Sequence, residues 1–258
     1  MQSTLKIAII QKDLVWQNAQ QNRTNLDAVF SELKAVDLIV LPEMFTTGFS
    51  MNPKPIAETM DGETVNWMID SAKNLNSALV GSIIIKENNH YYNRMLFIHP
   101  NGIINIYNKR HAFTLAGEHK EYNSGKRKLI VEYKGWKICP LICYDLRFPV
   151  WSRNVENYDL LIYSANWPKP RINAWNTLLK ARAIENISFC VGVNRVGVDA
   201  NGHQYSGNST VIDYLGKDIT KVAINIESII YAELDKEKMQ NLRSKLPFLS
   251  DKDEFVIK

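Results

Sequence analysis

Three cysteines in 258 residues, Cys139, Cys143 and Cys190, are too few and too irregularly spaced for a disulfide framework. A reducing compartment, the cytoplasm, is the expected setting. The opening "MQSTLKIAIIQKD" lacks the basic, apolar and small-residue succession of a secretory signal. No uninterrupted apolar run approaches the ~18 residues that a membrane span needs, so no membrane partner is expected. Charge of one sign is missing as well. The 31 basic and 27 acidic residues are interspersed and leave a net charge of only +4, which describes a solvated surface rather than a nucleic-acid footprint. His90, His99, His111, His119 and His203 show no ligand spacing, and no glycine-rich phosphate loop follows a strand. Neither a metal nor a cofactor is expected.

What remains is an ordinary globular composition, 45% hydrophobic and 22% charged, on a chain long enough to bury a sizeable core. Strand and helix patterns alternate. Residues 5–11, 37–43 and 78–85 read as strands, and 18–33 and 63–76 as helices. Residues 91–109 read as a hairpin turning at Pro100-Asn101-Gly102. The second half repeats the order. "WKICPLIC" reads as a strand, "RFPVWSRNVEN" opens a helix, and 159–166 and 188–197 are strands around a helix over 172–186. Residues 205–219 form another hairpin, turning near Leu215-Gly216-Lys217. "DLIVLPEMF" aligns with "DLLIYSANW", and "SALVGSIII" with "SFCVGVNRV". Such an internal duplication predicts an α/β fold of two similar mixed sheets packed face to face, a four-layer α-β-β-α sandwich. No low-complexity linker divides the chain, so 1–258 is expected to be a single domain. The apolar tail, about 240–258, is expected to pack on the body or on a partner subunit.

Three reactive residues follow apolar strands: Glu43 after "DLIVLP", Lys109 after "GIINIYN" and Cys143 after "KICPLI". Ligands of α/β sheets bind outside the carboxyl ends of strands, so a carboxylate, an ammonium and a thiol are placed to share one cleft. Each alone has a plain reading: a solvated loop acid, a surface lysine, a small core residue. Together they make a nucleophile with its acid–base partner and a cation. Lys109, or a helix starting beyond Arg147, would lower the thiol pKa. Lys109 and the Tyr144 backbone N–H would hold an oxyanion. Arg147 could point to the site, but an ion pair bracing the turn is the expected role. Cys139 and Cys190 lie inside strands and read as packing.

The stretches "LPEMF" at Glu43, "NKRHAF" at Lys109 and "CYDLRFP" at Cys143 resemble the nitrilase superfamily of carbon–nitrogen hydrolases, from "KIAIIQ" to "YAELD". That resemblance implies the α-β-β-α sandwich and a Glu-Lys-Cys triad. Cys143 would be the nucleophile, Glu43 the general base and Lys109 the stabiliser of the intermediate. Glu118, in "TLAGEHKEY", would be an auxiliary site glutamate. "LPEMFTTGFSMNP", "SANWPKPR", "AWNTLLKARAIEN" and "GVNRVGVDANGHQYSGNS" look like the omega-amidases. These release ammonia from the terminal amide of 2-oxoglutaramate or 2-oxosuccinamate. The substrate carboxylate then needs cationic or hydrogen-bonding groups, for which Asn166, Arg171 and Lys169 are candidates, with Phe45 and Trp167 as apolar walls. A carbamoylase, an aliphatic amidase or a nitrilase would share the chemistry. A glutaminase with a histidine base, or a non-catalytic binding protein, would not. The resemblance further implies a homodimer or higher homo-oligomer.

Overall fold

A computed structural model describes residues 3–257. The first half runs β1 (Thr4–Gln11), α1 (Ala19–Ser31), β2 (Leu38–Val40), α2 (Glu63–Asn74), β3 (Ala78–Glu87), β4 (His90–Ile98), β5 (Ile104–Asn108) and α3 (Glu118–Glu121). The second continues with β6 (Val131–Tyr133), β7 (Trp136–Ile142), α4 (Pro149–Ser152), β8 (Leu160–Ala165), α5 (Ile172–Asn186), β9 (Phe189–Asn194), β10 (Val196–Val198) and β11 (Gln204–Ile212). It closes with β12 (Ala223–Ile224), β13 (Ser228–Asp235) and α6 (Lys236–Lys245).

Two mixed sheets form, ordered β13-β1-β2-β3-β4-β5 and β10-β11-β9-β8-β7-β6, with β12 paired to β11. The strands β1, β2 and β3 run parallel and β4 turns back; β7, β8 and β9 run parallel and β11 turns back. The sequence rhyme is therefore a repeat of topology. It extends to single residues. The Asp37 carboxylate accepts the Lys6 N–H at 2.8 Å and pairs with Lys134, while that of Asp159 accepts the Lys137 N–H at 2.9 Å and pairs with Lys236. In each half an aspartate ties the start of one central strand to its neighbour.

Strand periodicity sets the layers. On β1, Leu5, Ile7 and Ile9 face the core shared with β7, β8 and β9. Ala8 and Ile10 face the other way, toward Leu26 and Phe30 of α1 and Val65 and Met68 of α2. On the far side, Trp175, Leu179 and Ala183 of α5 cover the second sheet. The result is helix, sheet, sheet, helix, as the sequence predicts.

Gly81 and Gly192 occupy matching places in the repeat, and both let a neighbour touch the backbone. A Cβ on Gly192 would stand 2.4 Å from Leu179 Cδ1 and 2.7 Å from Trp175 Cζ2. Gly192→Ala is therefore expected to destabilise the protein by about 1–3 kcal/mol through overpacking, read as a lower Tm. An unchanged Tm would mean that α5 can shift away freely.

Several boundaries differ from the sequence reading. The second strand keeps only three of its seven residues in the ladder, and Leu41 still donates to Val80 O at 2.7 Å as the chain leaves. Residues 188–197 break into β9 and β10 at Arg195, whose buried guanidinium reaches Asp13 at 2.6 Å. The 205–219 hairpin has one true arm: beyond the turn closed by Asp213 N–H to Lys217 O, only the bridge Ile212↔Asp218 pairs. "RFPVWSRNVEN" supplies four helical residues rather than a full helix. In the tail, Met239 of α6 is buried and Arg243 donates to the Tyr158 and Ile187 carbonyls at 2.7 and 2.8 Å. Phe248, Phe255, Val256 and Ile257 beyond it are exposed. Among the described residues, no helix is long and apolar enough to cross a membrane.

Candidate active site

The residues that follow β2, β5 and β7 meet at one end of the sandwich. Glu43 stands three residues past β2 and is fully buried. One carboxylate oxygen accepts from Lys109 Nζ at 2.8 Å and from Asn93 Nδ2 at 2.7 Å; the other accepts the Asn166 N–H at 2.9 Å. Lys109, one residue beyond β5, also donates to both oxygens of Glu118 at 2.9 and 3.0 Å. Glu118 is locked in turn by the Phe113 N–H at 2.5 Å. One ammonium is thus shared by two buried carboxylates.

Cys143 ends the run of β7 in a left-handed backbone, φ 42, and begins a 3-10 segment, Cys143–Arg147. A non-glycine residue there is strained, and the surroundings must hold it. Asp145 does so. Its carboxylate accepts the Ile142 N–H at 3.1 Å, the His111 N–H at 3.0 Å and the Tyr107 hydroxyl at 2.7 Å, with His111 Nδ1 at 2.8 Å. The loop that carries Lys109 and the turn that carries Cys143 therefore hang from one carboxylate. The Tyr144 N–H lies in the first turn of the 3-10 segment, where amides have no intrahelical acceptor.

Electrostatics fix the resting protonation. Burial works against the charge on Lys109, but Glu118 and Glu43 outweigh it and raise its pKa, so the ammonium persists. For Glu118, burial raises the pKa, Lys109 opposes and Glu43 adds, with a net rise. For the Cys143 thiol, burial and then Glu43 push the pKa up against the pull of Lys109. This direction is opposite to the lowering expected from the sequence. Desolvation outweighs one cation already neutralised by two acids, and the long helix meant to assist is absent. The resting group is a thiol with the Glu43 side chain beside it.

In front of the sulfur lies a small cleft, lined among others by Phe49, Tyr144, Asn166, Trp167, Arg147 and Arg171. Asn166, Trp167 and Arg171 thus stand where the sequence placed them. Phe45 does not. Met44 turns the chain at φ 44, which sends Phe45 into the core beneath α2, fully buried beside Trp67 and over Gly81. The wall is made by Phe49 instead, whose ring lies 5.1 Å from Lys109 Nζ. Lys169 points into solvent outside the cleft. Arg147 braces no turn: it lies 5.0 Å over Trp167 at the mouth, and Asp145 does the bracing. Arg171 lies 5.2 Å over Phe113.

Sequence reasoning passed over Asn93, Asp145, Phe49 and His203, which also lines the cleft. Asn93 had a signal: with Arg94 it interrupts the apolar run of β4, and both are buried.

Comparison with known proteins agrees with this architecture. The carbon-nitrogen hydrolase family matches residues 6–244. An omega-amidase, YafV, of Yersinia enterocolitica is 44% identical over 99% of both chains. A 2-oxoglutaramate amidase of Bacillus subtilis is 33% identical, covering 95% of this chain and 96% of its own. The crystal structure of a CN-hydrolase superfamily protein from Xanthomonas campestris, with an arsenic adduct in its active site, superposes with a TM-score of 0.97 at 40% identity over the whole of both chains. With its two duplicated sheets and a family match over nearly its full length, this chain belongs to the carbon-nitrogen hydrolase family of the nitrilase superfamily.

Proposed function

We propose that this protein is an omega-amidase, which releases ammonia from the terminal amide of a short dicarboxylic acid monoamide such as 2-oxoglutaramate or 2-oxosuccinamate. The observation that carries this reading is a small cleft with a thiol, backed by Glu43 and Lys109, and two guanidiniums, Arg147 and Arg171, in its lining. An amide at one end of the substrate would meet the sulfur, and a carboxylate at the other would meet the cations. The curated relatives named for this activity support the same substrate class.

In this mechanism the Cys143 sulfur attacks the amide carbon as its proton passes to Glu43. Lys109 Nζ and the Tyr144 N–H receive the oxyanion. The tetrahedral adduct collapses with transfer of that proton from Glu43 to nitrogen, the C–N bond breaks and ammonia leaves, giving a thioester. Glu43 then deprotonates water, which attacks the thioester; the acid departs and the thiol regains its proton. Glu118 keeps Lys109 charged and in place throughout.

Steady-state kinetics on 2-oxoglutaramate, succinamate, glutamine, an N-carbamoyl amino acid and a nitrile test the substrate class. Monoamides with a free distal carboxylate are expected to react best. Masking that carboxylate as a methyl ester should lower kcat/KM about tenfold or more, from the ~1.5–3 kcal/mol of a charged hydrogen bond. A preference for the nitrile or the N-carbamoyl compound would overturn the substrate, and silence on every compound would favour a binding role. The exposed apolar tail residues support pairing with a second copy. Light scattering that finds a monomer at micromolar concentration would rule this out.

A further inference from the structure

Asn166 holds the site at several points. Its backbone N–H donates to the Glu43 carboxylate at 2.9 Å, its Nδ2 donates to the Glu43 carbonyl at 2.5 Å, and its own carbonyl oxygen lies 4.0 Å from Cys143 Sγ. The next residue is clamped too: the Asn194 side chain accepts the Trp167 N–H at 2.7 Å and donates to the Trp167 carbonyl at 3.0 Å. Asn166 is thus fixed on both sides. Yet one of its polar atoms, Oδ1, has no hydrogen-bond partner, although the residue is only 4% exposed and lines the cleft beside the sulfur.

The bond from Nδ2 to the Glu43 backbone carbonyl settles which way the side-chain amide faces, and it turns Oδ1 away from that carbonyl. A buried acceptor without a donor costs free energy, and such groups in native proteins call for an explanation. The two donors nearest Glu43 are already committed, Lys109 to two carboxylates and Asn93 Nδ2 to the same pair. A donor supplied by the ligand would complete the site. A primary carboxamide brings two N–H donors on the atom that must leave; an ester or a ketone of the same shape brings none.

We propose that the Asn166 side-chain carbonyl accepts an N–H of the substrate carboxamide, selecting amides over isosteric carbonyl compounds and orienting the leaving nitrogen toward Glu43. The assignment rests on the amidase reading above and adds the group that recognises the scissile nitrogen. It also separates the two ends of the ligand: Asn166 reads the amide, and the arginines read the carboxylate. Rejection of a ligand lacking the N–H follows because the site's buried acceptor would then stay unpaired.

The test uses the full chain carrying Cys143→Ala, which cannot turn over, and ligand-observed NMR titrations with two matched pairs. Succinamate and 4-oxopentanoate differ by NH2 against CH3 and keep the distal carboxylate; butanamide and pentan-2-one repeat the contrast without it. Cys143→Ala is expected to bind succinamate about tenfold more tightly than 4-oxopentanoate, the size of one net hydrogen bond. Adding Asn166→Ala should shrink that preference to threefold or less while leaving 4-oxopentanoate affinity unchanged. An equal loss of both ligands, or an unchanged preference, would overturn the assignment. Should Asn166→Ala fail to fold, Asn166→Asp keeps an acceptor at this place and loses the Nδ2 bond. Retained preference there supports the assignment, and lost preference overturns it. The contrast between pairs reports separately on the substrate class. If the distal carboxylate gives no gain in affinity, the dicarboxylate reading fails while the amide contrast still decides the role of Asn166.

Discussion

Cys143→Ala is expected to release no measurable ammonia from 2-oxoglutaramate, a fall on the order of 10⁴-fold or more, as when a catalytic nucleophile is removed elsewhere. No neighbouring group can replace the sulfur: Glu43, Lys109 and Glu118 are spent on one another, and Cys139 and Cys190 are buried inside strands, where burial pushes their thiols well up. Cys143→Ser should fare little better, because a hydroxyl is a far weaker nucleophile and the raised pKa of this site would weigh on it too. An ammonia assay with 2-oxoglutaramate decides the matter, and Cys143→Ala activity within tenfold of the parent would end the thioester mechanism. The fold should survive, since the side chain is only partly buried. Its backbone at φ 42 adds a sharper expectation. Glycine accepts this conformation without the Cβ penalty, so Cys143→Gly should be about 1 kcal/mol more stable than Cys143→Ala while equally inactive. A thermal melt in which Cys143→Gly lies below Cys143→Ala would show that the turn carries no strain.

That strained turn also marks the limit of what the sequence discloses. Alternating and continuous apolar runs locate most strands, and the rhyme between "DLIVLPEMF" and "DLLIYSANW" predicts two like sheets, because burial on both faces leaves a strong signal. Strand ends bearing Glu43, Lys109 and Cys143 stand out for the same reason: a polar residue after an apolar run is easily seen. Backbone reversals leave no such trace. Met44 and Cys143 both adopt positive φ, and neither residue type favours turns, so nothing in the periodicity reveals that Phe45 turns into the core and Phe49 takes the cleft wall. Buried polar partners are equally hidden. Nothing in the sequence singles out Asp145, and only the folded chain shows its carboxylate meeting Tyr107, His111 and Ile142. Arg195 interrupts a strand because its guanidinium pairs with Asp13, 182 positions earlier in the chain.

Lys109→Met should lose activity and stability together, and pH separates the two losses. The substitution fills a similar volume but leaves Glu43 and Glu118 facing each other without their shared cation. Removing one partner from a buried ionic cluster costs about 3–5 kcal/mol when the remaining charge stays. Glu118 can escape by binding a proton. Glu118 already has a raised pKa from burial, and loss of the opposing Lys109 raises it further. Below the unfolded glutamate value, ~4.3, folded and unfolded chains both carry the proton and the penalty is small. As pH rises, the unfolded chain ionises freely while the folded one resists, so the variant loses stability until the folded pKa is passed. The Tm deficit relative to the parent should therefore widen between pH 5 and pH 8. Adding Glu118→Gln removes one of the stranded charges and should recover part of that deficit at pH 8, yet restore no ammonia release, because the oxyanion would still lack its ammonium. A deficit independent of pH would show that Glu118 is not the source of the instability. Recovered turnover in the double variant would show that Lys109 serves only to neutralise Glu118.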